Sequence, residues 1–71
     1  MNINNEADAL ETITILKSEP PKAQIRSLQL AIESLELNQM YYEQKGNEKG
    51  SERTGRCIEI LQERKRELES Q

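Results

Sequence analysis

The chain has 71 residues, of which 34% are hydrophobic and 32% charged, and its net charge at pH 7 is −3. This length allows one small domain whose core is marginal without further support, and the mild charge does not favour nucleic acid as a partner. Cys57 is the only cysteine and histidine is absent, which excludes an intrachain disulfide and a cysteine–histidine metal site, so a partner chain is the expected source of extra stability.

A short N-terminal helix is predicted over about residues 5–17. Asn5 can cap it, and acidic residues follow in its first turn. The alternating, β-branched residues 12–16 are also typical of a strand. We favour helix because no second strand exists for this segment to pair with.

The second predicted helix covers about residues 22–44 and follows the Pro20-Pro21 break, where Pro21 suits the first helical position. One apolar stripe steps by three and four residues, and Tyr42 extends it: Ile25, Leu28, Ile32 and Leu35. A second stripe lies about 120–140° away around the helix and consists of Ala23, Leu30, Leu37 and Tyr41. One antiparallel neighbour cannot cover both stripes, so either the N-terminal helix or another subunit covers the second.

The third predicted helix covers about residues 51–69, with Ser51 as its N-cap. Its apolar face is narrow and consists of Thr54, Cys57, Ile58, Leu61 and Leu68. Gly46 suits a left-handed cap at the end of the second helix, so the glycine-bearing stretch between the two helices is predicted to be a hairpin turn. Gly55 has no capping role; either it permits the close approach of a neighbouring backbone, or the helix begins later.

These elements predict an all-α fold with a single domain over residues 1–71, built as an antiparallel helical hairpin with a short N-terminal helix. We expect it to be a homo-oligomer. The predicted interface residues are those left without a partner: Leu30, Leu37, Tyr41 and Ile60.

No catalytic constellation is visible in the sequence. Histidine, the commonest general base, is missing, and the serines have no base motif beside them. The glycine-bearing stretch lacks the order of a phosphate-binding loop. Cys57 falls on an apolar helix face, which favours a core thiol. We therefore predict a binding protein rather than an enzyme, with no cofactor or metal and no membrane span. Residues 1–9 lack the basic start and apolar stretch of a signal peptide, and we expect a cytoplasmic location.

Two clusters are candidates for ligand binding. Tyr41 and Tyr42 either cap the two apolar stripes or form an aromatic platform near basic residues such as Arg53. Lys17, Lys22 and Arg26 form a basic cluster around the double proline. In an antiparallel hairpin this cluster is expected near Arg64, Lys65 and Arg66, and together these cations could bind an anion.

The chain resembles the small helical-hairpin phage proteins that sequester cyclic oligonucleotide signals. The residues that carry the resemblance are Pro20-Pro21-Lys22, Ile25-Arg26 and the run Ser51-Glu52-Arg53-Thr54. Ser18-Glu19 stand where that family usually has an aromatic residue and a histidine. The resemblance implies a multi-subunit assembly with a cyclic nucleotide between protomers, and Lys22 and Arg26 on its phosphates.

Two functions follow as hypotheses. The first is a phage or mobile-element inhibitor that binds a host protein. The alternative is an oligomeric sponge that sequesters the cyclic nucleotide signals of anti-phage defence, for which the candidate ligand-binding residues are Lys22, Arg26, Tyr41, Arg53 and Thr54.

Overall fold

The structure, a computed structural model, describes residues 2–71. These residues contain three helices: α1 (Glu6–Leu16), α2 (Pro21–Gln44) and α3 (Glu48–Glu69). The described residues contain no strand, so the predicted all-α class is confirmed and residues 12–16 are helical. Asn5 caps α1 as expected, since its side chain accepts a hydrogen bond from the backbone N–H of Asp8 at 2.8 Å.

Helices α2 and α3 form the predicted antiparallel hairpin. Near the start of α2, the Gln24 side chain accepts a hydrogen bond from Arg64, which lies late in α3. Near the end of α2, Gln39 donates one to the backbone carbonyl of Ser51, early in α3. The beginning of each helix therefore lies beside the end of the other.

The hairpin turn occupies only residues 45–47. Gly46 has a φ angle of +73°, the left-handed conformation predicted for it, which costs glycine little. The backbone N–H groups of Gly46 and Asn47 donate to the carbonyls of Glu43 and Tyr42, at 3.1 and 2.9 Å. This pair of bonds is a Schellman motif, which satisfies carbonyls that would otherwise be left over at the end of α2.

The start of α3 differs from the prediction. Asn47, not Ser51, is the N-cap, and its side chain accepts a hydrogen bond from the backbone N–H of Gly50 at 2.9 Å. Gly50 and Ser51 therefore lie inside the helix. Asn47 can take this role because the Schellman motif has already turned the chain by that point, so no further linker residues are needed.

The core lies between the three helices. Leu28, Cys57 and Leu61 are its largest fully buried side chains. The remaining buried apolar residues are Ala9, Leu16, Ile32, Leu35, Ile58 and Leu68. The predicted core-facing stripes of α2 and α3 are thus buried, except that Ile25 and Tyr42 at the two ends of the α2 stripe are only half-buried.

Helix α1 packs mainly on α3. Ala9 and Thr12 are buried, and the Thr12 hydroxyl donates to the carbonyl of Asp8 at 2.9 Å, so this polar side chain needs no other partner. Glu6 lies 3.6 Å from Arg56 of α3. This ion pair joins the first turn of α1 to α3.

Both glycines of α3 lie against α2. A Cβ atom on Gly50 would stand 2.7–2.9 Å from three atoms of the Tyr42 ring, so the ring packs directly on the backbone of α3. A Cβ on Gly55 would stand 3.0 Å from Nε2 of Gln39. Neither explanation for Gly55 is therefore correct, because α3 begins earlier than predicted and the atom near Gly55 belongs to a side chain rather than to a neighbouring backbone.

Candidate interaction surfaces

The second apolar stripe of α2 is uncovered in the chain. Leu30, Leu37 and Tyr41 are 62%, 67% and 57% exposed. They lie opposite Leu28 and Leu35, which face α3. Because α1 packs on α3, it does not cover this stripe, and that alternative is excluded.

A shallow apolar groove runs beside the stripe, between α1 and α2. It has a volume of about 300 Å³ and is lined by Thr12 of α1 and by Ser27, Leu30, Ala31 and Ser34 of α2. The stripe and this groove together form one continuous surface, which we call the α2 outer face.

Ile60 lies on a different surface from the other three predicted interface residues. It is half-buried and packs against the core, and with Leu10 and Ile13 of α1 it lines a groove between α1 and α3. Thr12 and Leu10, two residues apart, point to opposite sides of α1. Helix α1 therefore stands between Ile60 and the α2 outer face, a separation that the one-dimensional pattern did not reveal.

The two tyrosines have different environments. Tyr42 is half-buried on Gly50, whereas Tyr41 is exposed, with the Lys45 Nζ atom 5.6 Å from its ring centroid. The two rings are 6.0 Å apart in an edge-to-face arrangement. Tyr42 is therefore a packing residue, and Tyr41 keeps a ring face near a cation at the surface.

The five predicted ligand-binding residues are not brought together within one chain. Lys22 and Arg26 are exposed near the start of α2, and Tyr41 lies 15 residues beyond Arg26, about 22 Å along the helix axis. Arg53 is exposed near the start of α3. Thr54 beside it is buried, and its hydroxyl donates to the Gly50 carbonyl at 2.7 Å. A ligand role for these residues stays a prediction, and any single ligand would need more than one protomer.

The cations late in α3 are already paired with acids. Arg64, Lys65 and Arg66 lie within salt-bridge distance of Glu67, Glu69 and Glu63, respectively. The part of the predicted cation cluster that α3 supplies is therefore largely neutralised by the helix itself.

Gln24 is a buried polar residue that the sequence reading missed. Its Nε2 donates to the Glu19 carbonyl at 2.7 Å, and its Oε1 accepts from Arg64 at 3.3 Å. It thus ties the double-proline turn to α3. The sequence does contain a signal for its burial, because Gln24 lies four residues before Leu28 and therefore on the same side of α2 as the buried stripe.

Cys57 is almost completely buried in the core. Burial raises the pKa of its thiol above the ordinary value, and the negative charge of Glu6 adds to this, while Arg56 opposes it. A thiol held protonated in this way is a poor nucleophile, so the geometry favours the packing role expected for it.

Within residues 2–71, no group of three or more potential metal ligands is present, and no helix combines the length and apolar character needed to cross a bilayer. The fold and the α2 outer face define a small three-helix protein with one apolar helix face left open. Comparison of the chain with protein-family models, with curated proteins and with solved structures finds no match in any of the three.

Proposed function

We propose that this chain is a small, non-enzymatic interaction protein, which acts through protein–protein association on the α2 outer face. The observation that carries the proposal is the row of Leu30, Leu37 and Tyr41, each more than half exposed on one side of one helix. Scattered exposed leucines are ordinary, but several large apolar side chains aligned on one helix face and rimmed by polar residues mark a contact surface.

The narrower form of the proposal is an inhibitor, carried by a phage or mobile element, that acts on a host protein in the cytoplasm. Its support is the phage origin of the proteins that Pro20-Pro21-Lys22 and residues 51–54 resemble, whereas the nucleotide binding of those proteins supports the alternative function. The groove between α1 and α3, which has Leu10 exposed beside Ile60 and a charged rim, offers a second surface for such a partner.

A capture experiment tests the proposal. The tagged chain is expressed in bacteria together with an untagged copy, so that either a host protein or the chain itself can be retained. Leu37→Glu places a charge in the row, and Met40→Glu makes a matched change on the same helix, about 60–100° around the helix axis from the three residues of the row. We expect wild type and Met40→Glu to retain a partner that Leu37→Glu loses. Identical proteins retained by all three would contradict the proposal.

The alternative function, a sponge for cyclic nucleotides, is supported by the exposure of Lys22 and Arg26 at the basic start of α2. A ligand that binds only the native state adds about 2.7 kcal/mol of stability at a concentration of 100 Kd. Thermal melts with micromolar cyclic oligonucleotides test this. Stabilisation that is lost in Arg26→Gln and kept in Lys49→Gln supports the sponge, and an unchanged melting temperature with every nucleotide rejects it.

A further inference from the structure

We propose that the partner on the α2 outer face is a second copy of the chain, with α2 packed antiparallel against α2 about a two-fold axis. The inference rests on the proposed function, because it names the partner of the same surface. It is carried by side-chain size, by the groove beside the stripe and by charge.

The outer face of α2 carries a regular coiled-coil seam. Its residues are spaced by four, three, four, three and four positions, which is the repeat that keeps one line of side chains facing a neighbouring helix. The seam residues are Ala23, Ser27, Leu30, Ser34, Leu37 and Tyr41. They alternate between the two core positions of a heptad over almost the full length of α2.

Antiparallel pairing makes this seam complementary to itself in size. In the register in which the numbers of facing residues add to 64, Leu30 faces Ser34, Leu37 faces Ser27 and Tyr41 faces Ala23 of the other copy. Each of the six layers then combines one large and one small side chain, as close packing across facing positions requires. A parallel pair would instead set each residue against itself, leucine on leucine and serine on serine.

The groove between α1 and α2 can accept a side chain from a second helix packed in this way. Ser27, Leu30, Ala31 and Ser34, which line the groove between α1 and α2, are spaced i, i+3, i+4 and i+7. Four residues with this spacing form the hole that receives a side chain of a facing helix in a coiled coil. Thr12 of α1 closes one side of it, so the second copy also lies next to α1.

Charge selects the same orientation. The first half of α2, residues 21–32, contains Lys22 and Arg26 and no acid. The second half, residues 33–44, contains Glu33, Glu36 and Glu43 and no base. Antiparallel pairing sets the basic half against the acidic half twice, whereas parallel pairing sets like charges together. The helix dipoles also oppose each other favourably in the antiparallel pair.

Self-complementarity points to a copy of the chain rather than to an unrelated protein. A two-fold interface requires that when residue i contacts residue j, j also contacts i. The size pattern and the charge pattern of α2 meet this condition with the same orientation. An interface with a different protein would place no such constraint on the order of residues within one helix.

Sedimentation equilibrium at about 300 μM tests the dimer, a concentration chosen because one helix pair forms a small interface. We expect a mass of twice 8.2 kDa for wild type and for Met40→Glu, and of one chain for Leu37→Glu, with circular dichroism showing that both variants stay helical. A single-chain mass for wild type, or a dimer of Leu37→Glu, overturns the inference.

Disulfide cross-linking tests the register, on a Cys57→Ala background. Chains carrying Ser27→Cys and chains carrying Leu37→Cys, when mixed and oxidised, should form the mixed dimer. Ser27→Cys alone should not link to itself, since the two copies of residue 27 lie about 15 Å apart along the axis, beyond disulfide reach. Self-linking of Ser27→Cys without the mixed product overturns the antiparallel register.

The outcomes also separate this inference from the proposed function. A single-chain mass for wild type, together with a bacterial protein that is retained by wild type and lost by Leu37→Glu, rejects the homodimer and keeps the interaction protein. A single-chain mass with no protein retained in a Leu37-dependent way rejects both.

Discussion

At the residue scale, Asn47 connects the two helices of the hairpin through two different atoms. Its backbone N–H donates to Tyr42 and completes the cap of α2, while its side chain accepts from Gly50 and begins α3. Both helix ends therefore depend on Asn47, although residues 43–49 are all exposed.

Asn47→Ala should destabilise the protein by about 0.5–2 kcal/mol, because it removes the side-chain cap of α3. Ser51→Ala is the control, and it should be nearly neutral, since Ser51 lies inside the helix. Urea unfolding followed by circular dichroism measures both. If Ser51→Ala lowered the stability more than Asn47→Ala, the N-cap of α3 would be Ser51 rather than Asn47.

Gly50→Ala should also destabilise the protein. The added methyl group meets the Tyr42 ring at less than 3 Å, and overpacking of this kind costs about 1–3 kcal/mol, which outweighs the gain in helix propensity of about 1 kcal/mol.

Gly55→Ala provides the matched comparison in the same helix. Its methyl group meets only the end of the flexible Gln39 side chain, so the change should be close to neutral. Chemical denaturation measures both variants. If Gly50→Ala and Gly55→Ala lowered the stability equally, the contact with Tyr42 would not explain why residue 50 is a glycine.

At the scale of elements, α2 has two apolar faces with different roles. The inner face supplies Leu28, Ile32 and Leu35 to the core, and the outer face leaves Leu30 and Leu37 in solvent. The stability of the folded chain should therefore depend on the inner face, and its association on the outer face.

Ile32→Ala should lower the free energy of unfolding by about 2–5 kcal/mol, because it leaves a cavity in the middle of the core. Ile25→Ala removes the same atoms from the same helix, but Ile25 is only half-buried, so its cost should be clearly smaller. Urea titrations at a concentration where the chain is monomeric make the comparison. Equal costs would show that the hairpin core extends as far as Ile25.

At the scale of the whole molecule, the position of α1 decides which surfaces remain open. It docks on α3 through buried Ala9, while its ion pair from Glu6 to Arg56 is about half exposed on both sides. An exposed pair at 3.6 Å contributes little, about 0–1 kcal/mol, so packing holds α1 in place.

Ala9→Leu should accordingly lower stability by about 1–3 kcal/mol and loosen α1, because no space is available at a fully buried alanine. Glu6→Gln should change stability by less than about 1 kcal/mol. Amide hydrogen exchange of residues 6–16, alongside urea unfolding, measures both effects. A larger effect from Glu6→Gln would mean that charge, rather than packing, positions α1.

Much of the helical architecture could be predicted because its signals are local or periodic. Each of these signals depends on residues within one or two helical turns. They are Pro21 at the first position of α2, Gly46 in the left-handed cap, and the three- and four-residue steps of the buried stripes. The start of α3 was misplaced because Asn47 and Ser51 are both good caps, and only the geometry of the preceding turn chooses between them.

The sequence by itself determined that the chain is helical, that α2 and α3 pair as a hairpin, and that α2 has more apolar surface than one neighbour can cover. The tertiary structure decided where α1 docks, and with it that Ile60 is separated from Leu30 and Leu37, and that Gln24 is buried. The physical reason is that periodicity fixes which side of a helix a residue occupies, whereas its neighbours across space depend on how the helices pack together.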